Sequence, residues 1–220
     1  MIKTVFYDLG NVLINIELDN SLRLFAAARP FACQPGCVAG TPSASGGGAN
    51  EDRSLPGKII EAFIDHPAHI KYERGLISSE EFFRLISLEY KLKMDFDIFR
   101  KTWCEIFTEN KIETSRLLRV KEKVKIYLLS NTNEMHFEYI MKTYPSIAAA
   151  HGAVLSCRTG FRKPEKQIYE EALRIAGVRA EESVFVDDRP DNVAAACAVG
   201  IKAVVYDNKL KMSGGIEALI

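Results

Sequence analysis

Apolar residues fall in short blocks along the chain, and the blocks differ in period. Thr4-Val5-Phe6-Tyr7 is a run of β-branched and aromatic residues closed by Asp8-Leu9-Gly10-Asn11. A run this short, punctuated by Gly and Asn, predicts a buried strand ending in a turn. Residues 124–129, 184–186 and 203–206 repeat the pattern. They stop respectively at Ser130-Asn131-Thr132-Asn133, Asp187-Asp188-Arg189-Pro190 and Asp207-Asn208. Residues 153–156 form a weaker fifth strand candidate. Ile168, Ala172, Ile175 and Ala176 recur at helical spacing, with Pro164 expected at the first helical position and Gly177 as the stop. Residues 192–199 are alanine-rich and end at Gly200. From Ser130 onward strands and helices alternate. That order predicts an α/β fold with a doubly wound parallel sheet, whose ligands sit at the carboxyl edge of the strands.

Between the first two strands of the sheet the alternation breaks. Ser78 and Glu81 have capping-box spacing. Beyond them Phe82, Ile86 and Tyr90 share one helix face, and Leu85, Leu88 and Leu92 share a neighbouring one. Phe96, Phe99, Trp103 and Ile106 make a further helical stripe. Aromatics at this spacing point to helix–helix packing, so the segment reads as a small α-helical cap. Residues 26–57, rich in Ala, Gly, Pro and Ser and containing Gly46-Gly47-Gly48, show no sustained period and read as loop or disorder. The expected division is a core of residues 1–17 and 110–220, with a cap of residues 18–109.

Composition narrows the function classes. Twenty-nine Lys and Arg balance 29 Asp and Glu over 220 residues, which gives no electrostatic reason to expect a nucleic-acid or membrane partner. No apolar run approaches the roughly 20 residues that span a bilayer, and Met1-Ile2-Lys3-Thr4 lacks the apolar stretch of a signal peptide. Five widely spaced cysteines, Cys33, Cys37, Cys104, Cys157 and Cys197, make a poor disulfide framework and read as reduced thiols. Cys33 and Cys37 have no second pair to complete a zinc site, and His66 and His69 flank Pro67 rather than a clean helix. A cytoplasmic protein is the expectation; nothing in the pattern sets an oligomeric state.

The strand ends carry complementary chemistry. Asp8 follows the first strand, Ser130 and Asn131 end the second, and Asp187 and Asp188 end a later one. Lys163 stands in Phe161-Arg162-Lys163-Pro164, just before a helix. Taken singly, each is the kind of residue that caps helices or fills turns. Together, acidic loops converging on one sheet edge would hold Mg²⁺, and Ser130, backbone N–H groups and Lys163 would receive a phosphate. A carboxylate there can attack phosphorus to form an aspartyl-phosphate.

These four segments resemble, in order, the four motifs of the haloacid dehalogenase superfamily. They are Val5–Leu13 around Asp8, Leu128–Thr132 around Ser130, Arg162-Lys163-Pro164, and Val184–Asp188. Tyr72–Ser78, with Phe82 and Trp103 beyond, resembles the helical cap of one branch. That branch contains bacterial sugar-phosphate phosphatases of the α-glucose-1-phosphate phosphatase type, with the amino-terminal phosphatase domain of soluble epoxide hydrolase more distant. The resemblance implies a Rossmann-like core and a set of roles. Asp8 is then nucleophile and Mg²⁺ ligand, Asp188 and the Gly10 carbonyl are further ligands, and Asp187 is their support. Ser130 and the Asn131 backbone bind the phosphoryl group, and Lys163 neutralises it and orients Asp8. Asn192 orients the metal's waters.

One position departs from the pattern. Many family phosphatases carry a second Asp two residues after the nucleophile, as general acid/base; here it is Gly10, as is common in the sugar-phosphatase branch. A sugar-1-phosphate, leaving as a hemiacetal, needs less acid help, and Glu73 is a cap residue able to supply some. The leading expectation is thus a Mg²⁺-dependent phosphomonoester hydrolase for a small, sugar-type phosphate ester. Two alternatives stand beside it: a metal-independent haloacid dehalogenase, against which Asp187 and Asp188 argue, and a non-catalytic phosphometabolite-binding protein.

Overall fold

In a computed structural model, residues 1–17, 66–207, 216, 217 and 220 are described. The expected loop at 26–57, with Cys33 and Cys37, lies outside them. Strand β1 (Thr4–Tyr7) is buried at every position. It is the middle of a five-stranded parallel sheet with β4 (Lys125–Ser130) and β5 (Gly152–Leu155) on one side, β6 (Ser183–Asp187) and β7 (Lys202–Val205) on the other, in the order β5-β4-β1-β6-β7. The register aligns Val5 with Ile126 and Val184, and Phe6 with Tyr127 and Phe185. Side chains alternate across a strand, so Val5, Tyr7, Ile126, Leu128, Val184 and Val186 enter one hydrophobic layer. Phe6, Leu129 and Phe185 enter the other. Both faces are covered, which is why these strands read as continuous apolar runs.

Helices supply the covering layers. Leu117 and Val120 of α4 (Lys111–Lys121) and Phe137 and Ile140 of α5 (Glu134–Thr143) fill the first layer. Two four-residue helices, α6 (Pro145–Ala148) and α7 (Ser156–Thr159), flank β5. Ile168, Tyr169 and Ala172 of α8 (Lys166–Ala176) and Ala196 of α9 (Pro190–Ala198) fill the second layer. Helix α8 starts at Lys166, so Pro164 stands before it rather than in its first turn. The intervening turn is closed by the Glu165 N–H on the Arg162 carbonyl, 2.7 Å. On α8 the buried face takes Tyr169, and Ile175 points to solvent. Gly177, at φ 62°, ends the helix as expected.

A second apolar cluster belongs to α1 (Pro67–Glu73), α2 (Ser79–Tyr90) and α3 (Phe96–Cys104). It unites Ala68, Tyr72, Phe82, Ile86, Phe99 and Trp103 with Met135 of α5. Pro67 is the first residue of α1 and His66 its cap, accepting from the Ala68 N–H at 3.0 Å, so His69 does lie on a helix. Ser78 caps α2 by accepting from Glu81 N at 3.2 Å, while the Glu81 carboxylate turns to Arg84, making half a capping box. Leu88 is exposed. Chain passage between sheet and helices is marked by a short antiparallel pair, β2 (Ile14–Ile16) with β3 (Phe107–Glu109), which the hydrophobic pattern did not announce.

The helical cluster is docked by specific contacts. His136 stacks on Trp103 with ring centroids 5.2 Å apart, and its Nε2–H donates to the Trp103 carbonyl at 2.9 Å. Gly75, at φ 66°, lies so close to the Cys157 carbonyl that a Cβ would stand 2.0 Å from its oxygen. Arg74 is paired in two places with Glu165 and donates to the Gly160 carbonyl at 2.9 Å.

Candidate active site

The sheet order reverses direction at β1: β4 and β5 lie to one side, β6 and β7 to the other. Loops leaving β1, β4 and β6 therefore open away from one another above the carboxyl edge, where parallel sheets form a crevice. Asp8 immediately follows β1, held there by its N–H on the Val186 carbonyl at 2.9 Å. Ser130 and Asp187 are the last residues of β4 and β6. A cleft of about 460 Å³ lies here, lined by Asp8, Gly10, Ser130, Asn131, Lys163, Asp188 and Asn192 among others. Asp8, Ser130, Asn131, Lys163 and Asp188, singled out in the sequence, all line it, and Asp187, bonded to Lys163, is fully buried.

Lys163 joins the two acidic strand ends. Its Nζ lies 2.8 Å from Asp8 Oδ1 and 2.6 Å from Asp187 Oδ2, and donates to the Leu129 carbonyl at 3.0 Å. Its backbone is gripped by the Asn131 side chain, which accepts from Lys163 N at 2.7 Å and donates to Lys163 O at 2.9 Å. This makes the Asn131 amide a positioning group for the lysine loop, a task the sequence did not reveal because the partners are 32 residues apart. Asp187 also accepts from the Arg189 N–H at 2.8 Å and from Asn192 Nδ2 at 2.9 and 3.1 Å. Asn192 is thus bonded to Asp187; the expected role of orienting metal-bound water is a different one from this contact. Ser130, 3% exposed, has its Oγ 3.5 Å from the Asn131 carbonyl, a long contact that leaves the hydroxyl able to turn to a ligand.

The donor set fits a hard divalent cation. One oxygen from each of Asp8, Asp187 and Asp188 lies within 4.8 Å of the others. Asp8 and Asp187 share the one ammonium of Lys163, and burial pushes the Asp8 carboxyl up to about 6 even with that ammonium beside it. A bound cation removes that penalty. Oxygen-only donors and the open cleft suit Mg²⁺, which keeps several waters. With Asp187 already occupied by three donor groups, Asp188 is the carboxylate free to turn to a cation. It is half-buried and takes a hydrogen bond from Asn11 Nδ2 at 3.1 Å. Asn11 adopts φ 55°, a left-handed turn position that Asn tolerates. At Gly10 a Cβ would make only an ordinary contact, 3.5 Å from Ile16 Cδ1, so the missing side chain at this position is a chemical difference, not a steric requirement.

The rest of the lining comes from residues the strand-end pattern did not single out: Ile16 of β2, His69, Ile70 and Glu73 of α1, Arg162 and Arg189. Among these, Glu73 was anticipated as a cap residue near the leaving group.

The chain is similar to known proteins in sequence and in fold. A sesquiterpene phosphatase of Aspergillus oryzae is 27% identical over 172 residues, covering 77% of this chain and 87% of its own. A D-ribitol-5-phosphate phosphatase of Bacteroides thetaiotaomicron is 21% identical over 215 residues, covering 94% and 93%. In fold, the chain is similar to a haloacid-dehalogenase-family enzyme of Bacteroides thetaiotaomicron solved in complex with magnesium and inorganic phosphate. The TM-score is 0.75 and the identity 24%, over 94% of this chain and 95% of the other. The family model for haloacid dehalogenase-like hydrolases matches residues 2–200, from β1 through the end of α9, and this chain belongs to that family of hydrolases.

Proposed function

We propose that the protein is a Mg²⁺-dependent phosphomonoester hydrolase acting on a small, sugar-type phosphate through an aspartyl-phosphate on Asp8. The observation that carries the reading is the Asp8–Lys163–Asp187 bridge at the mouth of β1, with Asp188 alongside. Two relatives named as phosphatases of small organic molecules support the reaction class.

In this reading Lys163 fixes one Asp8 oxygen, leaving the other to attack phosphorus in line with the leaving oxygen. The P–O bond to the alcohol breaks, the leaving oxygen takes a proton from solvent water, and a second water then cleaves the acyl-phosphate, its oxygen leaving with the phosphate, to restore Asp8. Lys163, Ser130 and the Asn131 N–H stabilise the oxygens of the transferring group. Such fixed electrostatics are the main work in phosphoryl transfer. Asp8, the Gly10 carbonyl and Asp188 would hold Mg²⁺, which when bound adds positive charge against the phosphoryl oxygens.

The test is hydrolysis of sugar phosphates with Mg²⁺ present and with the metal chelated, for wild type and Asp8→Asn. Chelation should abolish turnover, and Asp8→Asn should lower it about 10⁴-fold or more with the melting temperature retained. Undiminished hydrolysis by Asp8→Asn overturns the mechanism; metal-independent release of halide from haloacids, without hydrolysis of the esters, favours the dehalogenase alternative instead.

A further inference from the structure

The helical wall of the cleft carries charges that phosphoryl transfer does not use. Glu73, in the last turn of α1, is 9% exposed and lines the same cleft as Asp8. Its Oε2 lies 2.8 Å from Arg162 Nη2, and its Oε1 is 3.9 Å from His69 Nε2. The ion pair is off the hydrogen-bond line: Glu73 Oε2 accepts no hydrogen bond and Arg162 Nε donates none. Beside the pair, Ile16 and Ile70 present aliphatic side chains that are 43% and 39% exposed.

A buried acceptor and a buried donor with unmet capacity, side by side, are costly unless a third group completes them. One group completes both: a hydroxyl, which donates and accepts. We infer that Glu73 and Arg162 form a hydroxyl-recognition subsite for the leaving group, and that the substrate is a neutral polyol or sugar carrying one phosphate. This rests on the phosphatase reading. The arriving hydroxyl separates the pair by its own width, donating to Glu73 and accepting from Arg162, while Ile16 and Ile70 cover the carbon skeleton. Paired with a guanidinium, Glu73 serves as an acceptor rather than as the proton donor missing at Gly10. Its charge also repels a second phosphate or a carboxylate on the substrate. A terpenoid or alkyl chain would leave the hydrogen-bonding capacity of Glu73 Oε2 and Arg162 Nε unmet, and sites built for a hydroxyl reject analogues that lack one.

The experiment compares ribitol 5-phosphate with n-pentyl phosphate, which have equal carbon counts, using the whole protein with Mg²⁺. In wild type the ratio of kcat/KM values should favour the polyol by at least about 100-fold. Glu73→Leu should bring the ratio below about 10-fold by the same reasoning. Glu73→Gln, isosteric and retaining an acceptor oxygen, guards against misfolding and should give an intermediate ratio, chiefly through a higher KM for the polyol. Equal use of both esters by wild type, or an unchanged ratio in both variants, overturns the inference while leaving the phosphatase reading in place. Hydrolysis of neither ester by wild type overturns that reading and this subsite with it.

Discussion

On the sheet side of the cleft, Asp187 accepts from Lys163, Asn192 and the Arg189 N–H, and Asn131 grips the lysine backbone at two points. On the helical side, Glu73 meets Arg162 at 2.8 Å with no hydrogen bond to Oε2, and two isoleucines stand partly bare. One wall is preorganised, with each charge held by fixed donors. The other has capacity to spare. Groups that stabilise developing charge must be in place before the reaction, whereas groups that recognise a leaving group gain when their partners arrive with it. The difference separates the part of the site that suits any phosphate ester from the part that selects among them.

The sharpest way to break the ordered wall is Lys163→Met, which leaves Asp8 and Asp187 buried without their shared cation. Removing one partner of a buried ion pair costs about 3–5 kcal/mol, so urea denaturation of the metal-free protein should show a loss of that size, together with loss of hydrolysis. Added Mg²⁺ should restore part of the stability but not the turnover. A stability change below about 1 kcal/mol, within the range for exposed pairs, would mean that the acidic strand ends do not depend on the lysine.

Gly75→Ala strikes the docking of the helical wall instead. The new Cβ would stand 2.0 Å from the Cys157 carbonyl oxygen at a φ of 66°. Strain and backbone displacement together should cost on the order of 2–4 kcal/mol, read as a lower melting temperature. Discrimination between esters should weaken before hydrolysis of the least demanding ester does.

The smallest effect concerns His136, between the two regions. Its Nε2–H donates to Trp103 and its Nδ1 accepts from Asn133 Nδ2 at 3.1 Å, so the ring is neutral, and burial lowers its pKa to about 3. The unfolded chain takes up a proton near pH 6.5 while the folded one refuses it. Stability is therefore fully present above 6.5 and falls as pH drops toward 3, by about 1 kcal/mol between pH 6.5 and 5.5. In metal-free protein Asp8 has the opposite slope, because its folded pKa is raised. The difference between wild type and His136→Gln isolates the histidine: the variant should be less stable at pH 7 but lack this slope. Parallel pH profiles would show that His136 takes up its proton as readily in the folded protein as in the unfolded chain.

How much of this was readable in the chain depends on locality. The strands around Val5, Leu128, Phe185 and Val204 announced themselves because both sheet faces are covered and the runs are uniformly apolar. The polar residues ending them pointed to the cleft. Around His66 and His69 the sequence does not read as a clean helix, yet Pro67 occupies the first helical position of α1, where no N–H is needed. The β2–β3 pair was missed because three-residue strands carry no period.

The sequence by itself determined the parallel α/β class, the helical insertion and the acidic, hydroxyl and cationic residues that meet at the sheet edge. Each of these depends on hydrophobic period, or on which residue ends a strand, and those are local properties. Only the tertiary structure decided that Asp187 rather than Asp188 is locked to Lys163 and Asn192, that the Asn131 amide holds the lysine loop, and that Glu73 and Arg162 share the cleft with Asp8. Those contacts, apart from the Asp187–Asn192 bond, join residues tens of positions apart. Their geometry is set by strand register and by how the helical cluster docks, neither of which leaves a mark in any short stretch of chain.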